Sequence, residues 1–155
     1  MSPRAAARLG ALAFAHVYDY VAGKADWGSA ALPLEGAADS ATRALAHVRA
    51  DVPRCRASER LQLVRQRLGQ WDTCFVVDDD GLVLGRLGRR ALASDEDVSV
   101  DEVMTEGPST VRPSARLCDL AERMRRQNLS SLPVTTSDGR LLGLLLRADA
   151  EVAGV

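Results

Sequence analysis

"TSDGRLLGLLLRAD", Thr136 to Asp149, is the stretch whose reading decides the fold. Its Asp138-Gly139 pair suits a hairpin turn with positive φ. The run Leu141 to Leu146 is apolar except at Gly143 and reads as a buried strand. Arg147 and Asp149 then stand at a strand-to-helix switch. The same succession occurs in "DDDGLVLGRLGRRA", Asp78 to Ala91. There Asp80-Gly81 answers Asp138-Gly139 and Gly85 answers Gly143, an offset of 58 residues. Upstream, "CRASERLQLVRQRL" (Cys55 to Leu68) lies over "VRPSARLCDLAERM" (Val111 to Met124) at an offset of 56, with Leu61 over Leu117. The chain therefore holds two copies of one unit, and the second has two extra residues after its first helix.

Each copy follows one pattern. A short extended opening leads to Ser58 or Ser114, residues that suit a helix N-cap. An amphipathic helix follows, with Leu61, Val64 and Leu68 inward in the first copy and Leu117, Leu120, Ala121 and Met124 inward in the second. Then come a buried strand ("TCFVV", Thr73 to Val77, or "SLPVT", Ser131 to Thr135), the Asp-Gly turn, a second apolar strand and a short helix. A unit of fewer than about 60 residues can hardly bury its own apolar sheet face. The expected fold is α/β (α+β): tandem βαββα repeats packed sheet to sheet as a pseudo-twofold pair. The expected spans are 39–95 and 96–155, joined by the acidic linker "ASDEDVSVDEVMTEGPST" (Ala93 to Thr110) with its Gly-Pro turn.

The chain has 155 residues, and its 46% apolar and 26% charged shares are those of a globular protein in water. A net charge of -1 offers no field to favour nucleic acid or an anionic membrane. The apolar run Ala5 to Ala15 is short and carries Arg8, which fits neither a spanning helix nor a signal peptide, so the expected address is the cytoplasm. Cys55, Cys74 and Cys118 are widely spaced and odd in number, which argues against a zinc site or a disulfide framework. With His16 and His47 they read as buried or incidental residues.

The repeats resemble the cystathionine β-synthase-type (CBS) domain, which occurs as a tandem pair. The resemblance rests on "VMTEGPSTVRPSARLCDLAERM" (Val103 to Met124), "NLSSLPVTTSDGRLLGLLLRADA" (Asn128 to Ala150) and, more weakly, "CFVVDDDGLVLGRLGRRAL" (Cys74 to Leu92). It covers Asp51 to Val155. It implies a central cleft, an adenosine-containing ligand such as AMP, ATP or S-adenosylmethionine, a regulatory and non-enzymatic role, and dimers of pairs. The family's nucleotide signature runs Gly, hydrophobic, any residue, Thr or Ser, two more, then Asp. The hydroxyl and the Asp contact the ribose, while the opening strand and the buried strand enclose the adenine.

Carried over, the second copy supplies Gly143 and Asp149 but has Leu146 in place of the hydroxyl residue. Thr110 and Val111 stand in its opening strand, and Leu132 and Pro133 in its adenine-facing strand. Arg147 offers charge to a phosphate. A lost hydroxyl removes one hydrogen bond, of order 1 kcal/mol, and weakens such a site without abolishing it. The first copy has Gly88 and Ala91 at the two positions and so lacks both groups. Its Arg86, Arg89 and Arg90 suit a phosphate or another anion, or equally a solvated basic face. Asp149 suits either ribose contact or a capping or surface role. The implied ligand set is Asp149, Arg147, Thr110, Val111, Leu132, Pro133, Leu146 and Arg89, with no metal.

Residues 1–38 have another resemblance. "HVYDYVAGKADWGSAALPLEG" (His16 to Gly36) is similar to the closing segment of a rhodanese-like domain: a Val-Tyr strand, a Gly turn, a Trp-bearing helix and a Leu-Pro-x-x-Gly end. "SPRAAARLGALAF" (Ser2 to Phe14) matches the preceding helix. The catalytic Cys loop has no counterpart before Cys55, so sulfur transfer is not implied. The segment is expected to serve packing, dimerisation or partner contact. Ala37 to Ala50 reads as a helix capped by Asp39 or Ser40, with Leu45 and Val48 inward. Two functions are expected to compete: an adenine-nucleotide or anion sensor working through another chain, and a dimerisation or docking module with degenerate sites.

Overall fold

Phe75 and Val77 point one way from their strand, while Cys74 and Val76 point the other. All four are buried, so this strand is sandwiched between two apolar layers. The computed structural model describes residues 8–18, 23–32, 42–94 and 97–153. Ahead of the repeats lie the helix α1 (Gly23–Ser29) and a 3-10 turn (Ala44–His47). The first repeat runs β1 (Arg54–Cys55), α2 (Leu61–Gln66), β2 (Cys74–Val77), β3 (Val83–Leu87) and α3 (Arg89–Leu92). Between the repeats lie α4 (Val100–Val103) and β4 (Thr105–Glu106). The second repeat opens at an isolated bridge residue, Val111, and continues with α5 (Leu117–Arg126), β5 (Ser131–Thr135), β6 (Leu141–Leu146) and α6 (Arg147–Ala153).

The sheet registers repeat residue for residue. Cys74 pairs with Leu87, Val76 with Gly85 and Val77 with Val83 in the first repeat. Leu132 pairs with Leu145, Val134 with Gly143 and Thr135 with Leu141 in the second, each at the offset of 58. The register shift falls at the same step, Val76/Val77 and Val134/Thr135. Cys55 runs parallel to Val76 as Val111 does to Val134. The molecular pseudo-twofold passes between Leu82 and Arg140, which bridge each other. Around them Val83 N–H donates to Gly139 O at 3.1 Å, and Leu141 N–H donates to Gly81 O at 3.0 Å. Gly81 and Gly139 have φ of +82° and +89°, as the Asp-Gly turns require.

Three apolar layers result. Leu61, Val64, Cys74, Val76 and Leu87 pack under the helices of the first repeat. Leu117, Met124, Val134 and Leu145 pack under those of the second. Val52, Phe75, Val77, Leu141 and Leu144 fill the space between the sheets.

The segments ahead of each repeat exchange places across the twofold. Thr105 and Glu106 pair with Arg86 and Gly85, so β4 extends the first sheet although it leads into the second repeat. Reciprocally, Arg49 bridges Leu144 on β6. The glycines of the repeat mark these crossings. A Cβ on Gly143, whose φ is +155°, would stand 2.3 Å from Arg49 O, and one on Gly85 would meet Met104 Sδ at 2.6 Å.

The exchange corrects three sequence expectations. The stretch Ala93 to Thr110 is a structured crossing rather than a bare linker: it holds α4, closed by a Ser99–Glu102 capping box, and β4. Ser58 and Ser114 are not the helix caps. The cap positions are Arg60 and Arg116, without side-chain capping bonds. The first helical N–H groups are met from the crossing segments instead, with Leu61 N–H donating to Val98 O at 3.0 Å and Leu117 N–H to Thr42 O at 2.9 Å. Of the helix expected within Ala37 to Ala50, the described residues 42–50 form only the 3-10 turn Ala44–His47. Its Leu45 is exposed, while Val48 packs inward. Asp39 and Ser40 lie outside the described residues.

Candidate functional site

A cleft of about 430 Å³ opens at the boundary of the two repeats. Pro133 of β5 and Leu129 form its apolar shelf, with Ser131 and the core residue Leu132 beside them. Arg123 and Gln127 from the end of α5 close one side, and the opening segment Pro108-Ser109 another. The first repeat contributes Arg86 of β3, then Gly88, and the crossing strand adds Thr105. No carboxylate is among these lining residues.

Pro133 helps to keep the cleft open. At its twofold mate, Phe75, the backbone N–H donates to Pro53 O at 3.0 Å and stitches the opening strand to the sheet. Proline has no N–H, so the equivalent stitch toward Ser109 cannot form.

Arg86 is the charged centre. Its Nε donates to Thr73 Oγ1 at 2.8 Å and its Nη2 to Ser131 Oγ at 3.4 Å, reaching from the first repeat to the second. The guanidinium carbon lies 5.8 Å from the Phe75 ring centroid, within cation–π range. Burial pulls its pKa below the ordinary arginine value, partly opposed by Asp72. Arginine nonetheless stays protonated. Asp72 itself is paired with Arg89 at 2.7 Å. On the facing side, Arg123 Nε donates to Gln127 Oε1 at 3.2 Å.

The twofold carries the inner wall of this cleft, Arg86, Gly88, Thr105 and Pro133, onto Leu144, Leu146, Arg49 and Phe75, and its outer wall, Ser109, Arg123 and Leu129, onto Pro53, Arg67 and Trp71. Leu144 is 1% exposed and Phe75 fully buried, and Trp71 and Leu146 pack against the same cluster. The matched depression, about 390 Å³, is lined by that outer wall, Pro53, Arg67 and Trp71, with Asp51 and Arg54, and by none of the four inner-wall residues. Asp149 meets a protein partner: Arg49 Nε and Nη2 donate to its two oxygens at 2.9 and 3.1 Å. That fork holds the Asp149 carboxyl below its usual pKa.

The expected ligand residues thus divide. Leu132 and Pro133 line the cleft. Asp149 and Leu146 lie on the filled side, and Arg147 lies beside them with its Nε 4.0 Å from Glu151. Thr110 and Val111 belong to the sheet: the Thr110 hydroxyl accepts from Thr135 Oγ1 at 3.0 Å, and Val111 is in the core. Arg89 is on the surface with Asp72. Arg86 was legible as an anion candidate from its place beside Gly85. Thr105, Ser109, Arg123 and Gln127 carry no local signal and are gathered by the chain crossing. Cys55 and Cys74 are buried neighbours, and their contact together with burial raises the pKa of Cys55, as befits core residues. Cys118 is exposed.

The fold is shared with solved structures of CBS domain pairs. Residues 100–150 match the family model of the CBS domain. The structure of CBSX2 in complex with AMP superposes with a TM-score of 0.62 at 21% identity, covering 72% of this chain and 94% of that one. The soluble part of a magnesium transporter gives the same TM-score and identity over 72% of this chain and 46% of the other. An uncharacterized protein of Bacillus subtilis (strain 168), YtoI, is 33% identical over 75 residues, 48% of this chain. The chain spans only 17% of that curated relative's length. Among the described residues no helix is long and apolar enough to cross a membrane, and no cluster of metal-ligating side chains occurs.

Proposed function

We propose that this CBS pair is a non-catalytic regulatory module that binds an adenine nucleotide, AMP or ATP, once per chain in the cleft under Arg86. The observation that carries the reading is the cleft's composition. An apolar shelf, Leu129 and Pro133, suits a base, and hydroxyls and guanidinia surround it without a carboxylate. The relative crystallised with AMP shares the fold. Hydroxyls, an amide and arginines suit the holding of an anion better than proton transfer. In this reading Asp149 anchors the crossing segment through Arg49 and does not contact ribose. The output passes through a partner protein, with the pair acting as a homodimer in the cytoplasm. Residues 1–38 act as a rhodanese-like closing segment for packing or partner contact, consistent with Trp27 lying on the helix α1.

Isothermal titration with AMP, ATP and S-adenosylmethionine tests the proposal. One site per chain is expected, with affinity weaker than micromolar because no carboxylate grips the ribose. Absence of heat with all three at millimolar ligand would overturn it. The apolar packing of the inner wall at the twofold mate of the cleft favours a second reading, a docking module without ligand. Exposed Leu12, Phe14 and Tyr18 supply its apolar surface. Unchanged self-association on Arg86→Leu, together with no ligand heat, would establish that alternative.

A further inference from the structure

Arg86 stands where the repeat pattern calls for an apolar residue. Its twofold mate is Leu144, 1% exposed, and each lies one residue beyond the crossing glycine, Gly85 or Gly143. A half-buried guanidinium in that place is unfavourable unless its charge is met. Its hydrogen bonds go to two neutral hydroxyls, Thr73 and Ser131. Among the described residues no carboxylate pairs with it within 4.0 Å. Asp72, whose field it feels, is engaged by Arg89. Arg123 brings a second guanidinium to the same cleft.

We infer that Arg86 is the specificity-determining residue of the cleft: it receives the phosphate of the ligand, so the site selects phosphorylated nucleotides over the free nucleoside. The inference rests on the proposed reading of the cleft as a ligand site and names the group that reads the ligand. Because Arg86 lies on the first repeat and bonds Ser131 of the second, the bound phosphate also ties the two repeats together at this point. A fork-shaped donor facing an oxyanion gives charge-assisted bonds worth about tenfold to hundredfold in affinity over a ligand lacking the anion.

The test compares AMP, adenosine and inorganic pyrophosphate by titration against the whole chain. AMP is expected to bind at least about tenfold more tightly than adenosine. Equal affinities in the unaltered chain overturn the inference, with no variant needed. Arg86→Leu, matching Leu144, is expected to melt no lower than the parent and to bring AMP down to the affinity of adenosine. Arg126→Gln, exposed and outside the cleft lining, is expected to keep the AMP preference. If it lowers AMP binding as much as Arg86→Leu does, net charge and not Arg86 sets the preference, and the inference falls. If neither AMP nor adenosine binds but pyrophosphate does, and Arg86→Leu abolishes it, the anion reading stands and the adenine reading fails. If pyrophosphate is also inert, both fail.

Discussion

The two ends of the interface between the sheets began as copies and now differ at nearly every matched position. On one side Arg86, Gly88, Thr105 and Pro133 leave an open, positively charged cleft. On the other, Leu144, Leu146, Arg49 and Phe75 fill the same place with apolar packing and one ion pair. Asp149 stands on the side whose inner wall is filled, and Ala91 holds the matched position on the side whose inner wall is open. A signature residue and a usable cavity are therefore separable. Which of them a repeat keeps depends on what the opposite repeat sends across the twofold.

Moving the charge to the closed side should break this comparison most severely. Leu144→Arg buries a guanidinium within the inter-sheet cluster with no carboxylate to meet it, and should cost about 4 kcal/mol. Urea denaturation measures the loss. Near-parental stability would show that the closed side is as tolerant of charge as the cleft.

Next comes Gly143→Ala. Its Cβ would collide with Arg49 O at 2.3 Å on backbone that is hard to move, with φ of +155° adding strain. A loss of about 3 kcal/mol is expected. The matched change, Gly85→Ala, meets the flexible end of Met104 at 2.6 Å and should cost only about 1 kcal/mol. Equal losses by the same denaturation measurement would contradict the asymmetry of the two crossings.

The smallest effect concerns the ion pair that closes the carboxylate side. The Arg49 fork depresses the pKa of Asp149 in the folded chain. Its stabilisation is therefore complete above the unfolded aspartate value of about 4 and disappears as pH falls through the folded pKa. Glu102 and Asp138 are shifted in the same direction and contribute a common acid limb. Asp149→Asn should slightly lower the melting temperature at neutral pH and narrow the difference from the parent below about pH 4. A constant difference across that range would show that the pair contributes nothing.

Much of the architecture was legible because it is written in short-range pattern. The Asp80-Gly81 and Asp138-Gly139 turns, the helical spacing of Leu117, Leu120, Ala121 and Met124, and the two offsets each need only a dozen residues to be seen. The errors share one cause. Ser58 and Ser114 looked like caps because capping is usually local, yet Val98 and Thr42 supply the acceptors from far along the chain. Ala93 to Thr110 looked like a linker because the partner of β4, Gly85-Arg86, lies about twenty residues back, in the other repeat. The surroundings of Asp149 were hidden for the same reason: it matched a signature, and the residue that bonds it, Arg49, sits 100 residues away.

By itself the sequence determined that two βαββα units are present and that their apolar sheet faces must meet, because periodicity and turn chemistry are local and neither unit can bury its own sheet. Only the tertiary structure decided on which side of the pair the inner wall stays open. Opening or closure depends on side chains delivered across the twofold from both repeats, and their proximity is set by the crossing of the chain.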